Sequence, residues 1–240
     1  MRPFHNLGRV AKATLAVALA FLPLSEAGRA AGGAVLKDPG IQDGEKITYR
    51  TTTGDVVFTS VETTRIVERN GSSLYKISSK SDSEELEIVI RRDGMRPSSV
   101  RSLSKGKDGT IDRRTEIVEE AGSEDGSVKI LDMQSLRHML RGFPFSRGGS
   151  ITLKAFTTTQ AAFTMQARLE GVDKLTTLAG EFRSYRIEVS AGGMMGMIAS
   201  KVHFWYSVDQ PHFLVRYRGS AGLPGSPTRT VEIVDYSIQD

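Results

Sequence analysis

From residue 45 to residue 238 the chain is written in short runs that alternate apolar and polar positions, the period-two signature of β-strands. Residues 45–53 place Ile47, Tyr49 and Thr51 on one face. Residues 56–68 continue after a Gly54-Asp55 turn, and Asn70-Gly71, a strong short hairpin signal, leads into 74–79. Further runs follow at 86–91, 100–104, 110–118, 150–158, 162–172, 182–190 and 229–238, with a connection over 175–181 and a Gly/Pro-rich loop over 219–227. One segment breaks the pattern. Met133, Leu136, Met139 and Leu140 recur at helical spacing, Asp132 stands where an N-cap belongs, and Gly142 and Pro144 lie beyond. That stripe predicts a core-facing helix over 133–141. Closely spaced strands with tight turns predict an all-β domain: an antiparallel open or half-barrel sheet with one or two short helices.

The most aromatic stretch is 200–219, read as a hairpin around Asp209-Gln210-Pro211. A turn centred between Asp209 and Gln210 sets Ser207 opposite His212, Tyr206 opposite Phe213, Trp205 opposite Leu214 and Phe204 opposite Val215. Alternation then makes Val202, Phe204, Tyr206, Phe213, Val215 and Tyr217 a core face. The other face, with Trp205 and Leu214 rimmed by polar groups, is the one expected to meet a greasy ligand. Residues 192–197 (Gly-Gly-Met-Met-Gly-Met) lack the Lys-Ser/Thr ending of a phosphate loop. Their methionines suit an adaptable apolar surface. The ligand-binding candidates are therefore Trp205, Leu214, Phe213, Met194, Met195 and Met197.

The start of the chain changes the picture of charge and location. Residues 1–31 carry a basic beginning (Arg2, Arg9, Lys12), an apolar centre at 13–22, Pro23, and small residues up to Ala30 and Ala31. This is the pattern of a secretory signal peptide. Its removal implies a periplasmic protein with a loose leader over 32–43, a single domain over 44–240 and no membrane span. The formal charge of +4 rests largely on that segment. Arg2, Arg9, Lys12 and Arg29 stand against Glu26 there, and the remainder nets +1. Nucleic acid is not an expected partner. With no cysteine, disulfides and Cys-linked lipid are excluded.

Candidate chemistry is sparse. His138, His203 and His212 remain after the signal segment, with no Gly-x-Ser-x-Gly elbow and no Cys nucleophile. The proposed register holds His203 and His212 about 13 Å apart, too far for one zinc ion. No catalytic residue, metal or cofactor is expected, and the protein reads as no enzyme. The basic residues between Arg91 and Arg114 interleave with Asp108 and Asp112, as a solvated face would.

Several pieces in order carry a resemblance: the 132–141 helix, Leu175-Thr-Thr-Leu-Ala-Gly-Glu-Phe182, Phe204-Trp-Tyr-Ser207 with Pro211-His212, Gly222-Leu-Pro-Gly-Ser-Pro227, and Gly44-Glu-Lys-Ile-Thr-Tyr49. The chain resembles a family of exported bacterial proteins known only as a domain of unknown function. That family in turn looks similar to periplasmic lipoprotein carriers of the Lol type. The resemblance implies a curved antiparallel half-barrel with helices over its concave side and a cleft for acyl chains. It supplies no catalytic residues. The expected function is a non-enzymatic periplasmic binding or carrier module for a lipid or other amphipathic envelope molecule. The alternative is an envelope assembly scaffold that holds a protein partner.

Overall fold

The computed structural model describes residues 36–105, 110–118, 128–130, 132–156, 162–192, 201–220 and 226–239. Among them are thirteen strands: β1 Glu45–Thr53, β2 Val56–Arg69, β3 Ser72–Lys80, β4 Glu84–Arg91, β5 Arg96–Lys105, β6 Ile111–Val118, β7 Val128–Ile130, β8 Ser150–Phe156, β9 Ala162–Thr177, β10 Gly180–Ala191, β11 Val202–Ser207, β12 Leu214–Ser220 and β13 Thr228–Ile238. One α-helix, α1 Met133–Met139, runs into a 3₁₀ turn at Leu140–Gly142, and a second 3₁₀ turn spans Asp93–Met95.

All thirteen strands form one sheet in the order β6-β5-β4-β3-β2-β1-β13-β12-β11-β10-β9-β8-β7. Neighbours are antiparallel, as sequential hairpins require, except the parallel pair β7 and β8. The edge strands β6 and β7 are not paired with each other, so the described sheet is open; β7 lies beside β5. The expected all-β half-barrel is thus what the chain forms. Asn70 and Gly71 both have positive φ (50° and 71°), the backbone that a two-residue hairpin turn with the strands' own twist needs.

The concave side is the core. β1 turns Glu45, Ile47, Tyr49 and Thr51 inward, and β4 does the same with Leu86, Ile88 and Ile90. α1 fills the concavity: its residues meet β1, β2, β4, β5, β7 and β11, and Leu136 and Met139, with Leu140 of the 3₁₀ turn, are fully enclosed. The fourth member of the expected stripe, Met133, is 40% exposed, because it opens the first helical turn beyond the packed interior. Asp132 caps the helix as predicted. Its carboxylate accepts from the Ser135 amide at 2.6 Å, and the Ser135 hydroxyl accepts from the Asp132 amide at 3.2 Å. Gly142 matters for closeness: a Cβ there would run into the Lys37 carbonyl and the Met95 side chain.

Three expectations are corrected. The described part of the leader, 36–43, is anchored to the rest of the domain. Leu36 and Ile41 are buried, the Lys37 amide donates to the Gly142 carbonyl at 2.8 Å, and the Asp43 carboxylate accepts from the Ile66 amide at 2.6 Å. Asp38 accepts from the Tyr75 hydroxyl and from Arg92, so Arg92 leaves the solvated basic face to tie this segment down. Second, β9 and β10 extend through the expected 175–181 connection as a ribbon that turns only at Leu178-Ala179. Third, the aromatic hairpin has another register. Tyr206 lies opposite Leu214, Trp205 opposite Arg216, and Phe204 opposite Tyr217. The connection is the longer loop 208–213, closed by the Ser207 amide on the Phe213 carbonyl, and Val215 is an extra, bulged residue in β12.

Candidate functional site: a cleft beside the buried helix

The bulge decides what the hairpin presents. Leu214 moves to the core face with Phe204 and Tyr206 and is 3% exposed. Phe213, 9% exposed, packs edge-on against Phe182 and stacks on Tyr236. Trp205 stays on the outer face, half-buried beside the His203 ring, its indole N–H donating to the Asp173 carboxylate at 2.8 Å. The expected Trp205–Leu214 patch therefore does not exist. Met194, Met195 and Met197 lie outside the described residues.

The outer face around Trp205 is ionic. Arg186 bridges Glu170 (3.2 Å) and Asp173 (3.1 Å), Arg168 meets Glu170 (3.0 Å), and Lys201 meets Glu188 (3.0 Å). Glu170, Glu188 and His203 present ligand-type atoms within 4.8 Å of one another. A divalent cation there would have to displace Arg168, Arg186 and Lys201, which already compensate both carboxylates, so the cluster reads as a cross-strand ion-pair network. His212 sits elsewhere, in the 208–213 loop, with Nδ1 2.9 Å from the Ser207 carbonyl and its ring against Phe145.

The inner face carries a buried ion-pair network. Two arginines one turn apart on the helical segment carry its polar contacts. Arg141 is bidentate on Glu45 and also donates to the Pro211 carbonyl at 3.2 Å. Arg137 pairs with Glu62, packs over the Tyr49 ring, and donates from Nε to His138 Nε2 at 3.2 Å. The Tyr206 hydroxyl donates to the Arg137 carbonyl at 2.6 Å. Burial raises the Glu62 carboxyl above its ordinary value, against the pull of Arg137 and Arg141. Burial, with the same two guanidiniums, pushes His138 well below its ordinary value. An Nε–H donor aimed at Nε2 requires that nitrogen to be unprotonated, so His138 is a neutral, enclosed acceptor.

Beyond the first turn of α1 the interior is open. A cleft of about 310 Å³ lies between that turn and strands β1–β4 and β11–β13. Phe58, Leu86, Met133, Phe204, Tyr217 and Val231 give it an apolar wall. Thr51, Ser60, Ser79 and Ser81 give it hydroxyls, and Glu84, Arg137 and Arg229 its charges. The strands themselves build this boundary. Inward positions change from apolar to polar as they reach the cleft: Tyr49 to Thr51, Ile77 to Ser79, and Ile88 and Leu86 to Glu84. Alternation alone sets Thr51 on one face with Ile47 and Tyr49; Ser60 and Ser79 carry the same signal, hydroxyls on the inward period of buried strands, which the aromatic hairpin overshadows.

An open antiparallel half-barrel, plugged by a short helix and leaving an amphipathic cleft beside it, is the class of protein that fold and site define. The chain belongs to the DUF3108 family of proteins of unknown function, whose model matches residues 40–233. No curated protein matches it. Solved structures give weak likenesses. A β-barrel-like DUF1849 protein from Brucella abortus is 8% identical, with a TM-score of 0.46 over 86% of this chain and 100% of its own. A Bacteroides fragilis protein with a YmcC-like fold is 11% identical, with a TM-score of 0.43 over 85% of this chain and 99% of its own. A chain of the MucA/MucB complex of Pseudomonas aeruginosa is 12% identical, with a TM-score of 0.39 over 85% and 55%. At TM-scores below 0.5, none of the three decides what this chain does.

Proposed function

We propose that the mature chain is a non-enzymatic periplasmic binding or carrier module, and that the cleft beside α1 holds an amphipathic envelope molecule. The observation that carries the reading is the cleft's composition: an aromatic and aliphatic wall opposite a row of hydroxyls, in about 310 Å³. That volume is at the lower end of small-ligand pockets, about 300–1,000 Å³. The secretory pattern of residues 1–31 supports the compartment. The non-enzymatic reading is supported by His138, which is enclosed and already bonded to Arg137.

Native mass spectrometry of the chain extracted gently from the periplasm tests the proposal. A bound small amphiphile, lost when Ser60→Phe fills the cleft, is the expected result. A stoichiometric protein in its place would favour the scaffold alternative.

A further inference from the structure

The charges of the cleft narrow the chemistry of its guest, a deepening that rests on the carrier reading. Three charged side chains line the cleft: Arg137, Glu84 and Arg229. Arg137 is paired with Glu62. The Glu84 carboxylate accepts from the Ser102 hydroxyl at 2.8 Å. Arg229 differs. It stands near the start of β13, opposite Thr53 of β1 and Gly219 of β12. It is half-buried, and among the described residues it forms no ion pair. Among the described residues its one side-chain hydrogen bond runs from Nε to the Thr53 hydroxyl at 3.3 Å. A guanidinium has five N–H donors in a planar fork that matches a carboxylate or phosphate. Four of the five in Arg229 are unclaimed by described protein groups, at a cleft whose wall is aromatic and aliphatic. Neighbouring Tyr217 feels this charge: burial raises its hydroxyl above the ordinary value and Arg229 pulls it back.

We infer that the guest is an amphiphile with an anionic head, a carboxylate or a phosphate ester. Arg229 is the head's counter-ion, and the apolar chain lies against Phe58, Leu86, Met133 and Phe204. Partial burial strengthens such a charge-assisted pair relative to one in open water. A neutral or cationic amphiphile of the same length could use the wall but not the fork.

The test uses the exported chain and a neutral fluorescent reporter, N-phenyl-1-naphthylamine, displaced by dodecyl competitors. Dodecanoate and dodecyl phosphate should displace it at concentrations about tenfold lower than dodecanol, the effect of one charge-assisted contact. Whichever of the two acids is stronger identifies the head. Arg229→Gln should remove the advantage of the acids and leave dodecanol unchanged, while Arg229→Lys should retain part of it. Thermal melting of both variants confirms that they are folded. Equal displacement by acid and alcohol, or an equal loss for both in Arg229→Gln, overturns the anionic-head inference and leaves the cleft reading standing. Failure of the reporter to bind at all overturns the cleft reading and this inference with it. Displacement by inorganic phosphate alone also overturns it, since the apolar wall would then have no part.

Discussion

Arg141 grips Glu45 through two parallel hydrogen bonds, Nη1 to Oε1 at 2.6 Å and Nη2 to Oε2 at 2.8 Å, with side chains only 3% and 1% exposed. This pair ties the end of the helical segment to the first strand of the sheet. Removing one partner leaves a buried charge without its mate, so Arg141→Met or Glu45→Gln should each cost about 3–5 kcal/mol. Replacing both with apolar residues of similar volume should return the stability closer to the wild type than either single change. Urea unfolding of the two singles and the double measures this. Additive losses in the double would show that the pair does not act as a unit.

His138 sets an acid limit on stability. Its native value lies well below 6.5, while in the unfolded chain it titrates normally. Below pH 6.5 the unfolded chain therefore takes up a proton that the native chain refuses. Stability due to this residue is present above pH 6.5 and is lost as pH falls, by up to about 1.4 kcal/mol per pH unit. Glu62, raised above its ordinary value, acts in the opposite sense, losing stability as pH rises above 4.5 toward its native value. His212, also lowered, acts in the same sense as His138. The difference between wild type and His138→Gln isolates the residue. The variant should show a flatter fall in melting temperature between pH 6.5 and pH 5. Identical slopes would mean that His138 is protonated in the native state.

The aromatic hairpin separates its two faces energetically. Phe204 is 1% exposed against Tyr206 and Tyr217, and Phe204→Ala should cost about 3–5 kcal/mol. Trp205 on the outer face should cost less. Trp205→Phe, which keeps the ring and removes the hydrogen bond to Asp173, should cost about 1–2 kcal/mol. Thermal or chemical unfolding of the variants distinguishes them. Equal losses for Phe204→Ala and Trp205→Phe would place both side chains in one core.

The features legible in the amino-acid sequence are those set by local forces. Strand period and the Asn70-Gly71 turn are local, and they predicted the meander. The Asp132 cap is local, and it placed the helix start. Register in 200–219 was lost because the bulge at Val215 is one residue long and alternation has no memory of it; one slipped residue sends Leu214 to the other face. The ion pairs were hidden because their partners stand 75 and 96 residues apart. Glu45, Glu62, Arg137 and Arg141 resemble surface charges until the sheet curls around the helix. The leader read as loose because Leu36 and Ile41 are isolated apolar residues among polar ones, and only the fold supplies their pockets. The cleft left a trace in Ser60 and Ser79, hydroxyls on inward strand positions, which gain meaning once neighbouring strands align them.

The most direct measurement of the central claim is an N-phenyl-1-naphthylamine titration of three proteins: the wild type, Ser60→Phe in the cleft and Trp205→Ala on the outer face. A binding cleft beside α1 predicts saturable binding by the wild type, weakening of about tenfold or more in Ser60→Phe with its melting temperature maintained, and wild-type affinity in Trp205→Ala. Wild-type affinity in Ser60→Phe together with lost binding in Trp205→Ala would contradict it and move the apolar site to the outer face of the sheet.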